Sequence, residues 1–175
     1  PAIHAGEKMV EKHWPEAQLA SIYDQSLYID LNPDRTMPEK VVERIDRLVK
    51  HCKDASADAI LCTGSLFGPA VEAAREGISI PILTSFEALI ETAFKTGNNF
   101  TLIATDPGTN KMLQRDMQLY ANKEKQTLQT EAIFVDQAMS LLSSGDQQGH
   151  DELVMNAALQ AQKCDAVLLG QFSMG

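Results

Sequence analysis

Asp58-Ala59-Ile60-Leu61-Cys62-Thr63-Gly64-Ser65-Leu66-Phe67-Gly68-Pro69 is the stretch that decides the fold. Its short apolar run has no helical period, is entered by an acid and leaves through Thr, Gly and Ser. That pattern predicts a buried parallel strand ending in a polar turn. Gly68-Pro69 then opens a helix, because proline is best tolerated in a first turn, where its missing N–H would have had no partner. The turn from Thr63 onward therefore lies between the carboxyl end of a strand and the amino end of a helix. Open parallel sheets bind ligands at such places, since backbone N–H groups and a helix dipole converge there.

Working outward, residues 2–14 are helical in character and residues 18–23 predict a strand running into the polar exit Asp24-Gln25-Ser26. Thr36 and Glu39 fit a capping box. Val41, Val42, Ile45, Leu48, Val49 and Cys52 then mark one face of a helix. Beyond the key strand come a helix over residues 69–76, stopped by Gly77, and a brief strand over residues 80–83. Thr84 and Glu87 suggest a second capping box, followed by the stripe Phe86, Leu89, Ile90, Ala93, Phe94. A strand over residues 100–104 leaves through Thr105-Asp106-Pro107-Gly108-Thr109. The helix after it turns Leu113, Met117 and Tyr120 inward. A strand over residues 132–135, a short helix and the link Ser143-Ser144-Gly145-Asp146 come next. Leu153, Val154, Ala157, Ala158 and Ala161 stripe the last helix, and residues 165–169 form the last strand. Strands alternating with helices in this rhythm predict an α/β fold with parallel sheets and right-handed crossovers.

Asp58-Ala59-Ile60-Leu61 and Asp165-Ala166-Val167-Leu168 are near copies, each after an amphipathic helix and each leaving through a polar segment. The echo predicts two pseudosymmetric lobes, residues 1–98 and 99–175, each a parallel sheet flanked by helices, with a ligand cleft between them. The 175 residues, 44% hydrophobic and 22% charged, suit such a globular chain. A formal charge of −9 argues against nucleic acid or an anionic membrane as partner. The apolar runs are strand-sized, well short of the roughly 20 residues of a membrane span, so a cytoplasmic protein is expected. The three cysteines, Cys52, Cys62 and Cys164, have no CxxC or Cys/His spacing, so neither a disulfide framework nor a metal site is expected.

The runs WPEA (14–17), DQSL (24–27), DAILCTGSLFGPA (58–70), IPIL (80–83) and DAVLLGQFSMG (165–175) resemble the aspartate/glutamate racemase superfamily, which includes hydantoin racemase and arylmalonate decarboxylase. The similarity spans almost the whole chain. It implies two pseudosymmetric α/β lobes, no cofactor, and an active site between the lobes to which each lobe supplies one cysteine. One thiolate removes the proton next to the substrate carboxylate and the other thiol returns it, while hydrogen-bond donors hold the enediolate. Carried onto this chain, the two cysteine positions fall on Gly64 and Gln171. A two-thiol racemase is thereby disfavoured. Arylmalonate decarboxylase has glycine at the first position, as here, but keeps the second cysteine as proton donor. Relatives also begin with a strand and end with a helix that this sequence does not display.

The anion-binding part survives. Thr63, Gly64, Ser65 and Gln171 are the candidate catalytic set, with Gly64 expected to leave room for a substituent or a water. Asp24, Ser26, Thr84, Ser85, Thr105, Thr109 and Ser173 leave strands at the same sheet edges and are candidate substrate contacts. Each also has a local use as a cap or turn residue. Cys62 is expected to pack inside its strand. His13, His51 and His150 lie on helices and are expected to be solvated or to face a helix dipole, leaving His4 as a weak pocket candidate. The expected function is that of a racemase-family protein binding a small carboxylate, an isomerase or cofactor-free decarboxylase working through an enediolate. The alternatives are a non-catalytic carboxylate-binding or regulatory protein, or a chain whose role is assembly, including as a homo-oligomer.

Overall fold

The computed structural model describes residues 2–161 and 163–175. It divides into two compact units, Pro1–Ser85 and Phe86–Gly175. The division falls ahead of the expected 98/99, because the helix carrying Ile90 and Ala93 packs on Phe100 and Leu168 of the second unit.

In the first unit, helix α1 (Ala2–His13) is followed by an extended segment, a short helix α2 (Ser26–Ile29) and the long helix α3 (Glu39–Asp54). The apolar stripe of α3 buries Val41, Ile45 and Val49 as its period demands. They meet Leu27, Phe67, Val71 and Ile82 in one core. Strand β1 (Ile60–Leu61) leads through a 3-10 turn (Ser65–Phe67) into helix α4 (Gly68–Ala74), whose first turn holds the proline. Strand β2 (Ile82–Leu83) pairs with β1 in parallel, Ile60 opposite Ile82 and Leu61 opposite Leu83.

Two local expectations fail here. Residues 18–23 join no sheet among the described residues, and Leu19, Ile22 and Tyr23 stand exposed. An alternating pattern supplies a face but not a partner strand. Thr36 does not cap α3; its hydroxyl is used in the preceding turn, donating to Asp34 Oδ1 at 2.7 Å and accepting from Asn32 Nδ2 at 2.8 Å. Pro38 takes the cap position instead. The cap position of helix α5 (Glu87–Ala93) falls on Phe86, two residues after Thr84.

The second unit is the more regular. Strand β3 (Asn99–Ala104), helix α6 (Pro107–Glu124), strand β4 (Gln129–Phe134), helices α7 (Ala138–Ser143) and α8 (Gln147–Gln160), and strand β5 (Ala166–Leu169) follow in order. The three strands are parallel in the order β4-β3-β5, with Leu102 opposite Ala132 on one side and Leu168 on the other. Phe100 and Leu102 face Ile90, Leu113 and Met117 of α5 and α6. Ile103 faces Ala138 and Ala157 of α7 and α8. Helices thus cover both faces of this sheet, which is why β3 is buried from Phe100 to Ala104, Thr101 included. At its amino end, the Asp165 carboxylate accepts the backbone N–H groups of Asn98 and Asn99 at 2.8 and 2.9 Å, which tie the entries of β5 and β3 together.

The fold is therefore the expected α/β class, with two parallel sheets and flanking helices. Among the described residues no helix is long and apolar enough to cross a membrane.

Candidate functional site

The exit of β1 is a compact polar turn. Ser85 donates from Oγ to the Cys62 carbonyl at 2.9 Å, so the exit of β2 holds the exit of β1. Thr63, Gly64 and Ser65 are half-buried, and Thr84, next to Ser85 at the end of β2, is buried. Gly6 of α1 is buried with its Cα face toward Thr63, whose Cγ2 would lie 3.8 Å from an added Cβ. Burial pushes the Cys62 thiol up, away from the thiolate form that a base or nucleophile needs.

Gly64 does not leave the open space expected of it. A Cβ there would meet the Phe67 ring at 2.7 and 3.3 Å and Tyr28 Oη at 3.4 Å. The two rings pack edge to face, their centroids 4.9 Å apart. The volume that a side chain would take is occupied by aromatic neighbours. The helix that follows is also short, seven residues after a 3-10 turn, so it adds less dipole than a longer one would.

Asp24 and Ser26 are brought together, with a third partner that the sequence did not announce. Asp24 Oδ1 accepts the Ser26 N–H at 3.1 Å and its hydroxyl at 2.6 Å. Arg44 of α3 reaches across to Asp24 and Ser26 with one guanidinium nitrogen and to Asp30, at 2.6 Å, with the other. Lys40 adds a second bond to Asp30 at 2.6 Å. The Ser26 hydroxyl, then Arg44, hold the Asp24 carboxyl below its usual range; Lys40 first, then Arg44, do the same for Asp30. Asp24 is thus a fixed, neutralised carboxylate rather than a proton donor. Arg44, with Lys40, Arg47 and His51, recurs at helical spacing along one face of α3, a periodicity that could have flagged it.

In the second unit the structure joins Thr105 and Gln171. The Gln171 side-chain carbonyl accepts the Thr105 N–H at 2.6 Å and its hydroxyl at 2.8 Å. A backbone N–H can only donate, so the oxygen of this amide is assigned by its partner. The Gln171 amide nitrogen has no hydrogen-bond partner among the described residues. Asp106 caps α6 by accepting the N–H groups of Gly108 at 2.8 Å and Thr109 at 3.2 Å. Thr109 is buried, with its methyl 3.1 Å from where a Cβ on Gly170 would stand. Ser173 lies half-buried in a 3-10 turn (Phe172–Met174) just past Gln171.

The histidines divide otherwise than expected. His4 is exposed and pairs with Glu7 at 3.3 Å. His150 is fully buried, not solvated: its Nδ1 lies 2.8 Å from Asp151 Oδ1, and its Nε2 has no hydrogen-bond partner among the described residues. Its spacing to Val154 and Ala157 puts it on the inward stripe of α8.

These strand exits are the place where a parallel-sheet protein binds small ligands, and the comparisons agree with the architecture. Among solved structures, that of the glutamate racemase isoform RacE1 from Bacillus anthracis matches with a TM-score of 0.62 at 14% identity, over 97% of this chain and 64% of that one. At that identity the likeness establishes the fold, and this chain spans less than two thirds of that racemase's length. Comparison with curated proteins gives no match. A family model described as Asp/Glu/Hydantoin racemase matches residues 16–175. Matched over nearly its whole length, the chain belongs to the Asp/Glu/Hydantoin racemase family.

Proposed function

We propose that this chain binds a small carboxylate at the carboxyl edges of its sheets and turns it over through an enediolate without a pair of thiols. The observation that carries the reading is the orientation of Gln171. With its carbonyl pinned by two bonds from Thr105, the amide NH2 is left as a fixed donor at a strand exit. Such a preoriented donor costs no reorganisation when charge develops on a carboxylate oxygen. Within the first unit, Thr63, Gly64 and Ser65 at the exit of β1 offer hydroxyl and backbone donors of the same kind, with Thr84 and Ser85 at the exit of β2; within the second, Thr109 and Ser173 accompany Gln171.

A second reading, a carboxylate binder without catalysis, draws support from the filled space at Gly64 and the burial-raised thiol of Cys62. One experiment separates the two. Melting temperature is measured with acetate, malonate, succinate, L-aspartate and L-glutamate, since a ligand that binds the native state raises it by mass action. Ligands that bind are then incubated with the protein in deuterated water and followed for exchange at the alpha carbon and for release of carbon dioxide. Exchange or release supports the enzyme; binding with neither supports the binder. No shift with any of them overturns both. Ser65→Ala or Gln171→Leu is expected to abolish the shift.

A further inference from the structure

Helix α3 carries a stripe of cations that is answered by acids along only half its length. Lys40, Arg44, Arg47 and His51 recur at helical spacing and share one face. In the first half, Asp30 accepts from Lys40 and Arg44, and Asp24 accepts from Arg44. In the second half no acid from outside the helix answers among the described residues. Arg47 meets Glu43 of its own helix at 3.8 Å, with both side chains more than half exposed, and a pair of that kind contributes little. The His51 ring has no hydrogen bond or ion pair among the described residues. An open groove of about 500 Å³ lies at this place, lined by Asp24, Arg44, Arg47, Leu48 and His51. The strand-exit residues Thr63, Ser65, Thr84 and Ser85 do not line it.

We propose that this groove binds a phosphate group, free or as a monoester. The inference goes beyond the carboxylate chemistry proposed above and does not rest on it. Arg44 is fixed in place by Asp24, Ser26 and Asp30, and a guanidinium carries more N–H groups than those bonds use, so it offers preoriented donors. Arg47 and His51 add donors from the next turn. Phosphate is the anion that fits, because its oxygens splay tetrahedrally and can meet two guanidiniums and an imidazole at once, where a planar carboxylate has two oxygens. Asp24 is the carboxylate on the lining, and its oxygens already accept from Ser26 and from Arg44, which offsets its charge. Leu48 supplies an apolar patch on which the organic part of a monoester can rest. A chain of formal charge −9 repels anions at long range, so capture depends on contacts made inside the groove.

The test titrates the protein with inorganic phosphate and with phenyl phosphate by calorimetry, while proton NMR follows the imidazole signal that His51→Asn removes. Both ligands are expected to bind at about millimolar concentration or below and to move that signal. Arg47→Gln, at an exposed position, is expected to weaken binding about tenfold or more, the usual effect of losing a hydrogen bond to a charged group. Lys123→Gln removes the same charge from an exposed side chain of the other unit and is expected to change binding less than about twofold. Tighter binding of phenyl phosphate assigns a monoester lying on Leu48, and tighter binding of inorganic phosphate assigns the free ion; either supports the site. Succinate that moves the His51 signal as readily as phosphate overturns the phosphate assignment. Absence of binding, an unmoved His51 signal, or equal weakening by Arg47→Gln and Lys123→Gln overturns the inference. None of these outcomes bears on carboxylate turnover at the strand exits, which the exchange experiment above decides by itself.

Discussion

Gln171 and Thr105 form a two-point clamp between the exits of β5 and β3, with the Thr105 N–H and hydroxyl sharing one side-chain oxygen at 2.6 and 2.8 Å. Thr105 is buried, so both donors depend on that acceptor. Gln171→Leu is expected to leave them unsatisfied and to destabilise the protein by about 1–3 kcal/mol, while Gln171→Glu keeps an acceptor and stays near the wild type. Urea denaturation measures both. Equal losses for the two variants would mean that the clamp contributes through the bulk of the side chain rather than through its oxygen.

Gly64 illustrates a different constraint, one of space. A methyl at that position would stand 2.7 Å from the Phe67 ring, closer than packed carbons approach. Gly64→Ala is expected to cost about 1–3 kcal/mol through overpacking. In combination with Phe67→Leu, which removes the ring, the costs should fall short of additive because the two residues compete for one volume. Strict additivity by denaturant titration would show that the ring is not what Gly64 accommodates. Gly64→Cys alone should be strained in the same way, and is not expected to install a working thiol.

What the sequence made legible follows from how local each signal was. β3, an apolar run buried on both faces, and the amphipathic helices α3 and α6 could be read from spacing alone. The strand expected over residues 18–23 could not, because pairing depends on a neighbour that no local pattern specifies. The capping box expected at Thr36 failed because its hydroxyl is used in the turn before α3 and Pro38 holds the cap position. His150 was misread from its place near a helix start, although its spacing to Val154 and Ala157 marks the buried stripe. Among the candidate site residues, Thr105, Asp24 and Ser26 follow from the strand-exit rule and Gln171 from the family resemblance. Arg44 and Tyr28 follow from neither, since Arg44 meets Asp24 across 20 residues of chain and Tyr28 meets Gly64 through a contact between separate turns.

The Asp24–Arg44–Asp30 group should make stability depend on acid in a defined direction. Both carboxyls are held below their ordinary value of 3.8 in the folded chain. Between the folded and unfolded values the unfolded chain binds more protons, so the stabilisation is complete above about pH 4 and is lost as pH falls through the lowered values. Arg44→Met removes the guanidinium from both acids but leaves Ser26 on Asp24 and Lys40 on Asp30, the larger influence in each case. The variant is therefore expected to be less stable than the wild type at neutral pH, with the gap shrinking as pH is lowered through the acid range. Urea midpoints of the two proteins, taken from pH 7 down to about pH 2, test this. A gap that stays constant over the whole range would assign the effect of Arg44 to the packing of its stem rather than to its charge.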